Sequence, residues 1–170
     1  MVDVRYPIGQ YEPPAVFTPA LLSKYIDEIE ALPDLVRAAV SGMSVAQLTT
    51  SYRTGGWTVR QVVHHLADSH MNAYIRTKLT LTEDKPTVKP YVEDKWGELY
   101  DSRMAPVNLS LDLLEGLHKR WGILLRAMKP AEFERAFFHP ELKREILLNY
   151  LVGMYAWHGK HHLAHIKLVK

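Results

Sequence analysis

The segment YAWHGKHHLAHIKL, Tyr155–Leu168, holds four of the nine histidines of this 170-residue chain. Apolar residues before and after them recur at helical spacing, which predicts a last helix that packs one face into a bundle. On that helix His158 and His162 lie in the middle of the apolar face, one turn apart. His165 lies beside them, and His161 lies at the edge of the face, where we expect it to be solvated.

The inward pair has two interpretations. Histidines at positions i and i+4 come close enough to share one metal ion. Alternatively they are ordinary hydrogen-bonded core histidines, although an apolar face supplies few partners. The sequence HGKHH lacks the Glu of H-E-x-x-H, so zinc-peptidase chemistry is disfavoured. The single E-x-x-H, Glu115 with His118, falls short of a di-iron bundle, which needs that motif on two helices.

Two long helices are predicted in the first half of the chain. The first begins with Thr18 as N-cap and Pro19 at the first helical position, and it ends near Gly42. Pro33 should kink or divide it. The second begins with a capping box in TVRQ, residues 58–61, and runs to about residue 81.

A third long helix is predicted from Ser110, as N-cap, to about Lys129, after a shorter helix in EDKWGELYDSRM. The segment RAFFHPELKREI predicts a small hairpin or irregular insertion before the last helix, which starts at about Leu147. The fold class predicted is therefore all-α: a four-helix bundle with long crossover connections. We expect a single domain, residues 1–170, with residues 1–17 as an extended arm.

The second helix offers three further histidines, within HHLADSH. Helical periodicity places His70 centrally on the apolar face, His65 at its flank and His64 facing away. Periodicity alone favours His70 as a third ligand to a metal. A catalytic ion near the mouth of a bundle, however, needs an open position and so favours ligands at the flank. Both alternatives stay open at this point.

Composition excludes several classes of function. The net charge is only +2, and no run of Lys and Arg marks a nucleic-acid partner. No apolar stretch is long enough to span a bilayer and the N-terminus lacks the core of a signal peptide, so we expect no membrane partner and a cytoplasmic location. The chain has no cysteine. Any metal must therefore be held by His or carboxylate, and any reacting thiol must come from a small molecule.

Two blocks carry a family resemblance: GGWTVRQVVHHLADSHMNAYIRTKL and, much later, YAWHGKHHLAHI. Together they resemble the DinB-like superfamily and, within it, the YfiT-like family of metal-dependent hydrolases and bacillithiol S-transferases. The resemblance begins at YPIGQYEPP and reaches almost to the last residue. It implies a four-helix bundle of DinB/YfiT type, frequently a homodimer, with one divalent metal ion per subunit, most often Zn or Ni.

The resemblance also implies the ligands. The family has one histidine directly before the LADS segment and an H-x-x-x-H pair on the last helix. These positions correspond to His65, His158 and His162. The resemblance thus favours His65 where periodicity favours His70.

Our leading expectation is a metal-dependent transferase that adds a small bacillithiol-like thiol to electrophilic small molecules. Three neutral histidines leave the ion its full charge, which lowers the pKa of a bound thiol or water. One alternative is a hydrolase that uses metal-bound hydroxide. The other is a non-catalytic metal-binding bundle, whose ion would be closed by a fourth ligand, His70 or His165.

Residues beyond the three ligands are candidates only. Acid–base candidates near the motif are His70, Asp68, His165 and Tyr155. Basic residues that could line the mouth and bind the carboxylates of a thiol are Arg60, Arg76, Arg103 and Lys160.

Overall fold

The computed structural model describes residues 3–169, which form four long helices, shorter helical segments and one hairpin. In chain order the elements are α1 (Pro19–Val40), α2 (Val45–Leu48), α3 (Val59–Thr82), α4 (Glu93–Gly97), α5 (Tyr100–Met104), α6 (Val107–Ala127), a 3-10 turn (Pro130–Glu134), β1 (Ala136–His139), β2 (Arg144–Leu147) and α7 (Leu148–Lys167).

Each long helix packs against two others. Helices α1 and α3 both contact α6 and α7, so α1 lies diagonally across the bundle from α3, and α6 lies diagonally from α7. The connection from α1 to α3 and that from α6 to α7 must therefore cross the bundle, whereas α4 and α5 link neighbouring helices. The four-helix bundle with long crossover connections is confirmed.

Most helix ends follow the local signals. The Thr18 side chain accepts from the backbone N–H of Leu21, and Thr58 and Gln61 form the expected capping box. The prediction for α6 is wrong by one turn, because the helix begins directly after Pro106. Ser110 therefore lies inside the first turns of α6 rather than at its cap.

Pro33 does not divide α1, which is continuous from Pro19 to Val40. A proline has no N–H, so the carbonyl of Ile29, four residues earlier, loses its helical donor. His118 of α6 replaces that donor, because its Nδ1 lies 2.5 Å from the Ile29 carbonyl oxygen. The missing hydrogen bond is thus made between two helices, and it fixes the ring of His118.

The predicted hairpin is present before α7. Strands β1 and β2 pair antiparallel, with Phe137 opposite Ile146. The chain that follows α3 joins this hairpin, since the N–H of Val88 donates to the carbonyl oxygen of Phe138 at 3.1 Å and the N–H of Phe138 donates to the carbonyl oxygen of Pro86 at 2.9 Å. These contacts anchor the start of the loop that runs from residue 89 into α4, whose last residue, Gly97, accepts a hydrogen bond from Gln61 near the start of α3.

The core consists of two apolar clusters separated by a layer of histidines. On α3 one cluster ends at Ala67 and the other begins at Ala73. On α7 one cluster ends at Ala156 and the other begins at Leu163. The residues between them are polar: His70 on α3, His118 on α6 and His158, His161 and His162 on α7. The rings of His70, His118 and His158 therefore meet at one level of the bundle.

Residues 3–17 form no helix or strand and run along α7. Tyr6 packs on His161, and Tyr11 packs on Trp157 and Tyr150. None of the helices in the described part of the chain is both long and apolar enough to cross a bilayer.

Candidate metal centre

Three histidines from two helices converge at the level where the apolar clusters part. His65 comes from α3, and His158 and His162 come from successive turns of α7. One ring nitrogen of each can be chosen so that all three lie within 4.8 Å of one another. The structure thus brings together the three residues that the family resemblance implies.

The distances fit a divalent ion. Nε2 of His65 lies 3.3 Å from Nε2 of His158. Two nitrogens bound to one tetrahedral ion, each at 2.0–2.1 Å, are roughly 3.3 Å apart. The rings of His158 and His162 have centroids 4.5 Å apart, as i and i+4 histidines on one helix face allow.

Hydrogen bonds behind the rings orient His158. Its Nδ1 lies 3.2 Å from Nε2 of His70. When His158 donates from Nδ1, its Nε2 carries a free lone pair directed towards His65. His70 is therefore placed behind the group and is not a member of it, although it is fully buried on α3.

The tautomer of His162 follows from a second chain of contacts. Nε2 of His165 lies 3.3 Å from the carbonyl oxygen of Arg5, which can only accept, so His165 carries its proton on Nε2. Its Nδ1 is then an acceptor, 3.4 Å from Nδ1 of His162. His162 donates from Nδ1 and keeps a free lone pair on Nε2. Such contacts behind metal-binding histidines fix ring orientation and tautomer.

Burial keeps the three histidines neutral at pH 7. Desolvation lowers the pKa of His65 to about 4. Burial, with the neighbouring histidines, also holds the pKa of His158 and of His162 well below its ordinary range. Neutral imidazole is the form that binds metal. Tautomer, distance and charge therefore all fit an ion held by His65, His158 and His162.

Two other histidines differ from expectation. His161 is 7% exposed, not solvated, because the arm residue Tyr6 and Trp157 cover its ring. His64 does not face away into solvent. It is buried, with Nδ1 2.7 Å from the Ser110 hydroxyl and Nε2 3.1 Å from the Ala105 carbonyl.

His161, His162 and His165 form a second group whose nitrogens lie within metal-binding distance. It shares His162 with the first group. The lone pair of His165 Nδ1, however, already accepts from His162. Burial lowers the pKa of His165, and the positive charge of Arg53 lowers it slightly more, which also disfavours a cation there. The first group, which spans two helices, is the better cation site.

Two cavities meet at the centre. The His162 cavity, of about 370 Å³, is lined by all three candidate ligands, by aromatic rings and by two arginines. The Arg76 cavity, of about 440 Å³, lies beside it. Both cavities are lined by His158, Glu93 and Asp94. An ion held by the three histidines would therefore be reachable from outside the bundle.

The candidate basic residues fall in different places. Arg76 lines the second cavity. Arg60 donates to the carbonyl of Arg103, and Arg103 pairs with Glu98, so both lie outside the two cavities. Lys160 pairs with Glu28 on α1, also away from the centre.

The acid–base candidates also separate. His70 and His165 lie behind the candidate ligands His158 and His162, as described above. Asp68 is half-buried towards Asp101 of α5, and burial raises its pKa to about 6, but it lines neither cavity. His165 lines the His162 cavity, and Tyr155 lines the Arg76 cavity, with its hydroxyl 3.3 Å from that of Ser69.

Several residues of the site were missed by sequence reasoning. Arg5 comes from the arm and Arg53 from the loop before α3, and both line the His162 cavity. Trp57 packs against His65 with ring centroids 4.5 Å apart. Glu93 begins α4. These residues lie in irregular segments, where no helical period indicates a direction, although the GGW turn lies in the block that carries the family resemblance.

Fold and site together define a class: four-helix-bundle proteins with a three-histidine centre at an open cavity. The chain belongs to the DinB superfamily, whose sequence profile matches residues 28–166.

Its relatives and a solved structure agree with that membership. A protein of Oceanobacillus iheyensis is 54% identical over 97% of this chain and 95% of its own length, and one of Bacillus mycoides is 54% identical over 98% and 95%. Both carry the provisional name metal-dependent hydrolase. The structure of YfiT from Bacillus subtilis, described as a probable metal-dependent hydrolase with an unusual four-helix bundle topology, has a TM-score of 0.95. It is 49% identical and covers 98% of this chain and 95% of that chain.

Proposed function

We propose that the protein is a metal-dependent transferase that joins a low-molecular-weight thiol to an electrophilic small molecule. His65, His158 and His162 would hold one divalent ion, for which three neutral imidazoles suit Zn or Ni. When bound, such an ion lowers the pKa of a thiol or a water that reaches it. The provisional names of the relatives support a metal-dependent reaction of some kind.

The observation that carries the proposal is that two cavities, not one, reach His158. A transfer reaction needs room for two organic substrates next to the same reactive centre. Hydrolysis needs one organic substrate and water. Two cavities of about 370 and 440 Å³ that share His158 therefore favour transfer.

The His162 cavity suits a thiol that carries carboxylates, as bacillithiol does. Arg53 has no carboxylate partner among residues 3–169, and its guanidinium lies over the ring of Tyr52, 5.5 Å from the centroid. Arg5 also lines this cavity, but its guanidinium is paired with Asp3, so Arg53 is the cation that is open to a ligand. Arginine binds carboxylates through two parallel N–H donors. The aromatic rings of Trp57 and the other wall residues would cover the apolar part of the thiol.

A metal-reconstituted assay tests the proposal. Bacillithiol, cysteine and glutathione are each offered with a chlorinated aromatic acceptor, and the loss of free thiol and release of chloride are followed. We expect metal-dependent turnover with at least one thiol, and a several-fold higher KM for that thiol in Arg53→Gln. Arg60→Gln, outside both cavities, is the matched control. No turnover above metal-free protein with any thiol would sink the proposal.

Hydrolysis is the second candidate, and Glu93 favours it. This carboxyl lines both cavities, and burial together with the charges of Asp94 and Glu141 raises its pKa, which suits an acid–base group. Ester or amide hydrolysis without any thiol, abolished in Glu93→Gln while metal content is unchanged, would establish this reaction in place of transfer.

A further inference from the structure

The Arg76 cavity contains a cation that the protein leaves without a counter-ion. Arg76 is 9% exposed, and its Nη2 donates to the carbonyl of Lys89 at 3.3 Å. Its buried Nε has no acceptor, and no carboxylate of residues 3–169 lies within 4.0 Å of the guanidinium. Arg126, in contrast, is exposed and pairs with Asp27 and Glu30. Buried charges in proteins are normally paired. The guanidinium of Arg76 therefore has unused N–H donors that an anion from outside the chain could accept from.

The charges of the other residues that line the Arg76 cavity limit how much negative charge a bound anion can carry. The carboxyl groups of Glu93, Asp94 and Glu141 also line the cavity, and burial, together with the charges of Asp94 and Glu141, raises the pKa of Glu93. His139 is neutral, because burial lowers its pKa. The cavity thus has one fixed cation and an acidic wall. A ligand with a single carboxylate can satisfy Arg76, whereas a polyanion would meet repulsion from the acids.

Neutral hydroxyls complete the cavity next to the metal centre. The hydroxyls of Ser69 and Tyr155 lie 3.3 Å apart, and burial raises the pKa of Tyr155, so it stays protonated. His158, a candidate ligand, also lines this cavity. A molecule anchored at Arg76 would therefore have its far end close to the reactive centre.

We propose that the Arg76 cavity binds a small organic monocarboxylate, with Arg76 as the residue that recognises the carboxylate. The planar guanidinium pairs with a carboxylate through two N–H donors. In the transfer reaction this molecule is the electrophile, a role that rests on the proposed function, whereas its binding does not. With a chloro-substituted acid, the thiol sulfur forms a bond to the substituted carbon, the carbon–chlorine bond breaks, chloride leaves and the thiol proton goes to solvent.

Calorimetry with benzoate and its neutral isostere benzamide tests the binding step on metal-loaded protein. We expect benzoate to bind wild type and Arg60→Gln equally, at least roughly tenfold more weakly to Arg76→Gln, and with intermediate affinity to Arg76→Lys. Benzamide should bind all four proteins weakly and alike. If benzoate bound only at the metal, its affinity would be the same in Arg76→Gln and in wild type. Equal benzoate affinity in Arg76→Gln and wild type, or no binding to wild type, overturns the proposal.

A second variant covers the case in which Arg76→Gln fails to fold or to retain metal. Met154→Trp fills the cavity from α7 and leaves every arginine in place, so benzoate binding should be lost while circular dichroism and metal content are kept. Retained benzoate binding in a folded Met154→Trp protein would contradict the assignment.

Kinetics with chloroacetate separate this inference from the proposed function. Arg76→Gln should raise the KM for chloroacetate and leave the KM for the thiol unchanged. A raised KM for the thiol alone would assign the cavity to the thiol and overturn the acceptor role. If no thiol supports turnover but benzoate binding depends on Arg76, the transferase proposal fails and the carboxylate site stands.

Discussion

At the scale of single residues, the proposed ligands depend on their hydrogen-bonded neighbours. His165 accepts from His162, which leaves Nε2 of His162 free, and His158 likewise has a free Nε2 when it donates from Nδ1 to His70. Residues in this position behind a metal ligand change metal affinity without touching the ion.

Removing either acceptor should therefore weaken metal binding. His70→Phe and His165→Phe are each expected to reduce affinity by about 10- to 100-fold, measured by competition with a chelator. His64→Gln is the matched control, because His64 neighbours His65 in α3 but contacts Ser110 and Ala105. Wild-type affinity in both phenylalanine variants would contradict the orienting roles.

Helical periodicity predicted the directions of these side chains but not their depth or their cover. His158 and His162 do point inward, and His70 is central on its face. The ring of His70 nevertheless contacts Nδ1 of His158 and not the space between the three candidate ligands. A helical wheel could not predict this, because it gives the direction of a Cβ and not the atom that the side chain reaches. His161 was expected in solvent, since a wheel contains no information about the arm that covers it.

At the scale of elements, Pro33 and His118 form one unit between α1 and α6. Replacing His118 by Phe leaves the buried Ile29 carbonyl without a donor and should cost about 1–3 kcal/mol of unfolding free energy. In a Pro33→Ala background the backbone N–H returns to that carbonyl, so the same replacement should cost less. A double-mutant cycle by urea denaturation measures the coupling. Strictly additive effects would show that the two residues are independent.

Glycines on α6 and α7 give the second test at this scale. A Cβ at Gly159 would lie 2.5 Å from Cδ2 of the buried Leu32, where α7 packs on α1. Gly159→Ala should therefore lower the unfolding free energy by about 1–3 kcal/mol. Gly116→Ala on α6 meets nothing within 4 Å and should raise it by about 0.5–1 kcal/mol. Stabilisation by both substitutions would contradict the close approach of α1 and α7.

The elements were largely predictable because their signals are local. The caps at Thr18 and Thr58 depend on residues three positions away, and both predictions are confirmed. The predicted start of α6 at Ser110 is wrong, because a serine that could cap a helix can also lie within its first turns when its hydroxyl has another hydrogen-bond partner. For Ser110 that partner is His64, which is distant in sequence. Continuity through Pro33 likewise depends on a residue from another helix.

At the scale of the whole molecule, the layer of neutral histidines makes stability depend on pH. Burial lowers the pKa of His65 and of His118 to about 4 from an ordinary value near 6.5. The unfolded chain therefore binds more protons below pH 6.5. The two neutral histidines contribute their full share of the unfolding free energy above pH 6.5, and this share is lost as the pH falls towards 4.

Urea midpoints of metal-free protein should accordingly decrease between pH 6.5 and about 4, with each of these histidines contributing up to roughly 3 kcal/mol. Metal-loaded protein should lose its ion in the same window, since protons compete for the ligand nitrogens. A constant midpoint from pH 7 to 4.5 would show that the histidines are not held neutral by the fold.

The central claim is that His65, His158 and His162 hold one divalent ion. Its most direct test is the metal content of protein purified without an affinity tag, measured by mass spectrometry for wild type, His65→Ala, His162→Ala and the control His64→Gln. We predict about one ion per chain in wild type and control, and about a tenth of that or less in the two alanine variants. Metal content unchanged by His162→Ala would contradict the assignment.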